Sequence, residues 1–369
     1  MKKILLASTA IVGMAGMAAA EVSISGSAEM GIVGGDRHND TTQFWSDVDV
    51  TFDMTGETDG GLQFGVSVDL DEAPDLDADG EKSDADFAVF ISGDFGKVTL
   101  GDTDGALDFA LQDQNIGHPG SIADDETDHF GFFGSFHDGA GAYDGQIMRY
   151  EYTFDAFAVA ISVEQGGTGN IDIDKDGDGT IAADGSETFA AVDELDAGFA
   201  LAARYSFDIG AGSVTVGGGF QSIDADANVG GEFFGDALNS PGVGLIDEDG
   251  DSDLGETADI FALSVSAALD NGFSAVLTYA DGDVLFIEDS NHVSLGVAYT
   301  TGALTVAANY GEFDFGNGDS AEGFALNAGY DLGGGLSVLA GYSDSTFTDD
   351  SRDEDTDTDS FSLGLSMSF

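Results

Sequence analysis

The chain has 369 residues, and its 71 aspartates and glutamates against nine lysines and arginines give a formal net charge of −62. So acidic a molecule repels polyanions, which excludes nucleic acid as a partner, and the absence of cysteine removes disulfides, thiolate catalysis and cysteine-ligated metals together. Such charge ordinarily accompanies disorder, yet 42% of the residues are hydrophobic, so the acids must be segregated into loops and onto one face of regular structure.

Lys2 and Lys3 precede an apolar run from Ile4 to Ala19, which closes on Ala18, Ala19 and Ala20 before Glu21. A basic start, an apolar middle and a small-residue end predict a secretory signal peptide over 1–20. Read instead as a membrane anchor, the run is short and broken by Ser8 and Thr9. No later stretch approaches a spanning helix, so membrane residence would have to be by strands.

From Glu21 onward the dominant signal is alternation. Val22, Ile24, Ala28, Met30 and Ile32 oppose Ser23, Ser25, Ser27 and Glu29; Val48, Val50, Phe52 and Met54 oppose Asp47, Asp49, Thr51 and Asp53. Period-2 patterning of this kind puts apolar side chains on one face of a strand and polar ones on the other. It predicts about sixteen strands, at 22–32, 44–54, 62–70, 86–92, 97–101, 146–154, 157–164, 197–207, 214–221, 259–269, 273–280, 291–299, 304–310, 322–330, 336–342 and 360–369. Seven short turns alternate with eight long connections, at 33–43, 71–85, 102–145, 165–196, 222–258, 281–290, 311–321 and 343–359. The count is even and both ends fall on the short-turn side.

A two-sheet sandwich would bury its apolar faces. It would not explain tyrosines near the ends of so many apolar faces: Tyr150, Tyr152, Tyr205, Tyr279, Tyr299, Tyr310, Tyr330 and Tyr342. These read as interfacial girdles. The last strand alternates Phe361, Leu363, Leu365, Met367 and Phe369 with serine and glycine. An unpaired terminal strand of this kind invites aggregation, whereas barrel closure pairs it and lipid covers its apolar face. The expected fold is therefore all-β, a 16-stranded antiparallel transmembrane barrel occupying 21–369.

Several segments resemble the general porins of alphaproteobacteria. Glu21-Val-Ser-Ile-Ser-Gly-Ser-Ala-Glu-Met-Gly31 is similar to that family's first strand, and Thr51 to Gly65 to its first hairpin. Phe95-Gly-Lys-Val-Thr-Leu-Gly-Asp102 resembles the strand leading into its constriction loop. Tyr330-Asp-Leu-Gly-Gly-Gly-Leu-Ser-Val338 and the terminal strand resemble its last hairpins, and the terminal Phe resembles the assembly signal of bacterial outer-membrane proteins. The likeness is clear over the first hundred and last forty residues and diffuse between. It implies an outer-membrane location and a homotrimeric diffusion channel whose third loop folds into the pore.

The 102–145 connection is too long to be idle. It holds Asp102, Asp104, Asp108, Asp113, Asp124, Asp125, Glu126 and Asp128, together with Phe130, Phe132, Phe133 and Phe136, which need a surface to pack on. Folded inward it would narrow and charge the lumen; the alternative is an external flap. Strand parity puts Glu29, Asp47, Asp49, Asp53, Asp69, Glu151 and Glu164 inside, against Lys97, Arg149 and Arg204. The family usually sets arginines on the wall opposite an acidic third loop. Here the second strand carries Asp47 and Asp49 instead, which favours a pore acidic on most sides and a preference for cations.

Two loops carry Asp-x-Asp-x-Asp-Gly: Asp75, Asp77 and Asp79, with Asp86 at the twelfth position, and Asp174, Asp176 and Asp178. Oxygens at alternate residues can wrap calcium, but neither flank looks helical and the second has Gly185 where a closing acid belongs. In so acidic a chain the spacing also arises by chance. The histidines, His38, His118, His129, His137 and His292, read as solvated or lumen-lining groups rather than acid–base catalysts. The expected function is passive diffusion of small hydrophilic solutes and cations through an outer-membrane channel, with no catalysis and no required cofactor, in contact with membrane lipid and lipopolysaccharide. Two alternatives stay open: a channel that binds one solute class, and a structural surface barrel whose acidic loops bind divalent cations.

Overall fold

In the computed structural model the alternating segments pair into one antiparallel sheet that closes on itself. The structure describes residues 21–38, 40–71, 85–134, 146–164, 197–224, 257–284, 287–350, 352 and 354–369. Among the described residues there are sixteen strands: β1 (Glu21–Gly34), β2 (Gln43–Glu57), β3 (Gln63–Asp71), β4 (Ala85–Gly93), β5 (Gly96–Gly101), β6 (Ile147–Phe154), β7 (Phe157–Glu164), β8 (Gly198–Asp208), β9 (Gly212–Asp224), β10 (Thr257–Leu269), β11 (Phe273–Val284), β12 (Ile287–Thr301), β13 (Leu304–Asp314), β14 (Ser320–Gly333), β15 (Leu336–Asp349) and β16 (Glu354–Ser368). Each pairs with its sequence neighbours, and β16 pairs with β1 from Ser27↔Ser368 to Gly34↔Phe361. Closure satisfies the backbone groups that an edge strand would leave open.

The outward face is apolar and unburied, as a lipid-facing surface requires. Ile24, Phe44, Leu201, Val265, Leu277, Leu295 and Leu326 are all largely exposed. Aromatic residues bracket this band. On β11 and β14 the two belts are six residues apart, Phe273 to Tyr279 and Phe324 to Tyr330. At about 3.4 Å per residue that is roughly 20 Å along a strand, or about 15 Å of height for strands tilted by roughly 40°. At the long-loop end the phenols turn to polar partners on the next outward residue: Tyr279 donates to Asp281 at 2.9 Å and Tyr342 to Asp344 at 3.0 Å. All seven short turns lie at the opposite end with both ends of the barrel chain, and the β14–β15 turn bends through Gly333, Gly334 and Gly335 at φ +85°, +69° and +84°.

Three connections expected to be long are not. The segments 281–290, 311–321 and 343–359 are mostly strand, so that β13 and β14 are joined by residues 315–319 and β15 and β16 by 350–353. Beyond the apolar band the outward face of these strands turns polar while Phe313 and Phe347 stay on the inward face, so the expected alternation is lost while hydrogen-bonded pairing continues. Thr346 Oγ1 donates to Asp357 at 2.8 Å and Thr348 Oγ1 to Asp355 at 2.9 Å across the β15–β16 ladder. Cross-strand pairs of this kind sustain a hairpin that hydropathy alone does not reveal. The signal-peptide segment 1–20 lies outside the described residues.

Candidate functional site

The lumenal face has two contrasting arcs. From β7 round to β16 small residues recur on it: Ala158, Ala160 and Ser162; Ala200 and Ala202; Gly217 and Gly219; Ala262 and Ser264; Gly296; Gly311; Gly323 and Ala325; Gly341 and Ser343; Ser360 and Ser362, with Arg204, Thr278, His292, Asn309 and Phe313 standing among them. On β1–β6 it carries Glu29, Asp47, Asp49, Thr51, Asp53, Asp69, Phe90, Lys97, Arg149 and Glu151. The 102–134 segment lies inside the barrel against the small-residue arc, as the phenylalanines demanded. Phe130 and Phe133 are 4% exposed, and Phe136 and His137 fall outside the described residues.

The loop enters through a five-residue helix, α1 (Ala106–Ala110), whose Ala106, Leu107 and Ala110 pack on Ala160, Ala200, Ala202, Ile260 and Ala262. Ala106 N–H donates to Ser162 Oγ at 2.9 Å, and Gln112 bridges β10 and β11 through Ser264 (3.1 Å) and Thr278 (3.0 Å). Where the loop backbone crosses Gly217, Gly296 and Gly311, any side chain on the wall would collide with the carbonyls of Ala110, Gln114 and Gly131. The absent Cβ atoms are what let the loop lie flat on the sheet.

Farther along, Phe133, Phe313, Phe315 and His292 form an aromatic cluster, with Phe133 and Phe313 centroids 4.9 Å apart. His292 Nε2 donates to Gly131 O at 3.0 Å, and His129 Nε2 to Asn309 Oδ1 at 2.6 Å. Burial pushes the His129 imidazole down to about 4, so it stands neutral near pH 7 as a fastening group. The tip then turns through Asp124 at φ +51°, a left-handed position that aspartate tolerates better than most residues.

The loop docks along β7–β16 and its tip reaches β1, and the lumenal face of β2 and β3 is acidic. Asp49 accepts from Ser27 Oγ at 2.5 Å, Asp53 from Ser67 Oγ at 2.9 Å and Asp69 from Thr51 Oγ1 at 3.0 Å, donors that orient the carboxylates without neutralising them. On the loop side Asp124 is exposed. Enclosure by the barrel, then Glu126, Asp128, Asp47 and Asp125, raise its carboxyl to about 6. Wall and loop therefore present like charge to one another. Asp128 also rises to about 6 through burial, although Arg37, in the turn after β1, pairs with it at 2.6 Å and pulls the other way.

The predicted lumenal bases are differently employed. Arg204 donates to Phe109 O at 2.6 Å and stacks 4.2 Å from that ring's centroid. Arg149 holds Asp104 O at 2.7 Å, its carboxylate at 3.5 Å and Glu151 at 3.2 Å, and lies 5.5 Å from the Phe109 ring centroid. Both guanidinium groups thus clamp α1 to the wall. Lys97 sits over Phe90 at 5.2 Å. Asp102 is exposed at the loop's start, Asp108 lies on α1 and Asp113 is half-buried after it. Of the calcium-loop residues, Asp75, Asp77, Asp79, Asp174, Asp176 and Asp178 lie outside the described residues, and Asp86 pairs with Asp69 in the β3–β4 ladder.

Arg37, Asp124 and Asp128 were not singled out as site residues by sequence. Arg37 sits in a loop that parity cannot place, and the acids of 124–128 are indistinguishable by pattern from their neighbours. The small-residue arc was the available signal: the polar faces of β8–β10 and β12–β16 are rich in Gly, Ala and Ser, which a freely water-filled lumen does not require.

The sequence profile described as Gram-negative porin matches residues 7–350. A porin of Rhodobacter capsulatus is 30% identical over 334 residues, covering 88% of this chain and 94% of that protein. A porin structure refined at 1.8 Å superposes with a TM-score of 0.62 at 25% identity, covering 95% of this chain and 100% of the other. A triple mutant of the Rhodopseudomonas blastica porin gives 0.58 at 17% identity over 94% of this chain and 100% of its own, a likeness that speaks for the fold alone.

Proposed function

Because the chain belongs to the Gram-negative porin family, an outer-membrane channel family, we propose that it passes small hydrophilic solutes by passive diffusion with a preference for cations, and performs no catalysis. The observation that carries the cation preference is the division of labour among lumenal charges. Asp47, Asp49, Asp53 and Asp69 line the open arc, whereas Arg149 and Arg204 are held in contacts with α1. A mobile cation meets favourable potential from the wall and from Asp124 on the loop, and a low-dielectric surround focuses that field. Reversal potential under a KCl gradient tests it: a cation-signed potential at low salt is expected, and a zero or anion-signed potential refutes the charge argument.

The proposal includes a homotrimer, supported by the family and by small outward residues at Gly26 and Ala28 near the seam. Native mass measurement after gentle extraction should give three chains, and monomers alone would reject it.

A further inference from the structure

The tip of the inward loop does not rest on an arbitrary part of the wall; it rests on the seam where the barrel closes. β1 and β16 meet with Gly31 opposite Gly364. Both glycines face the lumen, and Ile122, 2% exposed, lies over the pair. Its Cδ1 is 2.7 Å from where a Cβ on Gly364 would stand and would collide with one on Gly31. Val33, wholly buried, and Leu339 complete the pocket.

Three residues on, Asp125 is wholly buried and its two carboxylate oxygens are divided between two hydroxyls of β16. Ser360 Oγ donates to Oδ1 at 2.6 Å, and Ser362 Oγ donates to Oδ2. Two serines spaced by one residue share the lumenal face of a strand, so their hydroxyls form a fork that matches a carboxylate. On the β1 side, Asp128 reaches Arg37 at 2.6 Å. The tip therefore grips both strands of the seam, and Asp124, which feels the like charge of Asp47, lies between Ile122 and Asp125.

We propose that Asp125 is a positioning residue for permeation: its bond to the Ser360–Ser362 fork, with Ile122 seated over the Gly31–Gly364 pair, fixes how far the loop's carboxylates stand from the wall and so sets the aperture. Position is transmitted through a short path. The fork holds Asp125, Asp125 N–H is itself tied to Ser121 Oγ at 2.8 Å, and Ser121 is tied to Glu126 at 2.6 Å. A tip built this tightly moves as a unit, so releasing the fork frees Asp124 together with the rest. The contact spans 237 residues of chain to Ser362, and β1–β16 pairing is more distant still in sequence.

The test uses the full-length protein, with heat-modifiable electrophoretic migration confirming closed barrels, and reads open-channel noise in planar bilayers and the size limit of sugars in liposome swelling. Asp125→Ala should shift the limit to larger sugars and raise the noise. The double variant Ser360→Ala with Ser362→Ala, which leaves the loop sequence intact, should do the same. Asp125→Asn should retain the parent's limit, because an amide can accept from one serine and donate to the other. Asp125→Ala and Asp125→Asn remove the same charge, so a difference between them reports position rather than field. Identical limits in Asp125→Ala, in the double serine variant and in the parent overturn the proposal, as does an Asp125→Asn variant indistinguishable from a shifted Asp125→Ala. Where Asp125→Ala yields no closed barrel, the double serine variant decides in the same two ways. The proposal rests on the channel reading, and a parent that passes no current would refute that reading instead.

Discussion

Replacing Asp47 and Asp49 together by asparagine probes the charge argument with little change of shape. Both lie on the lumenal face of β2, opposite Glu29 and Ser27 of β1. For a cation passing about 7 Å away, at an effective dielectric of about 60, one carboxylate contributes roughly 0.8 kcal/mol. At about 0.1 M salt the Debye length is ~10 Å, which cuts this to about 0.4 kcal/mol. That is about a twofold change in local cation density per charge, or about fourfold for the pair, with anion density rising by the same factor. Reversal potential under a KCl gradient is the assay. The double variant should move it toward zero at 0.1 M, and the two proteins should converge near 1 M, where the Debye length is about 3 Å. An unchanged potential at low salt would show that these carboxylates do not face the conducting path. A difference that persists at 1 M would show that something other than screened charge was altered.

Selectivity should also depend on pH in a range unusual for carboxylates. With Asp124 and Asp128 raised to about 6, each is about 90% ionised at pH 7 and about 10% at pH 5, whereas an ordinary aspartate stays ionised at pH 5. Cation preference should therefore fall between pH 7 and 5, and Asp124→Asn should remove part of that fall; a flat profile down to pH 5 would contradict the raised values. Arg204→Ala should loosen α1 by losing the bond to Phe109 O and the stack on its ring, about 2–3 kcal/mol together. Faster amide exchange over 106–110 in a barrel that remains closed is the expected reading, and unchanged exchange there would place the clamp elsewhere.

The fold was legible because lipid on one face and water on the other impose a period of two that single residues cannot obscure. All sixteen strands fall where alternation puts them, and Phe273, Phe324 and the tyrosines mark its two borders. The errors lie where that constraint ends. Above the Tyr279–Tyr310–Tyr342 level the outward face of β11–β16 leaves lipid and turns polar, so Thr346, Thr348, Asp355 and Asp357 look like loop residues although they pair as strand. Hydropathy reports the solvent of a face, and pairing reports only a partner strand.

The site was legible in part for a related reason. Parity assigns Asp47, Asp49, Lys97, Arg149 and Arg204 to the lumen, because facing in or out is a local property of a strand. It cannot say whether a lumenal charge meets water or another part of the chain, and on that distinction the electrostatics turn. Arg204 counts as a pore charge by parity, yet Phe109 covers its guanidinium. The deciding information sits in residues that carry no charge. Where the lumenal face carries glycine, alanine and serine it accepts a backbone at contact distance. Along that arc the loop lies flat, whereas Asp47, Asp49, Asp53 and Asp69 of β2 and β3 face it with like charge. The same residues that face the loop thus define the water path and its sign, so aperture and selectivity follow from one division of the lumenal face.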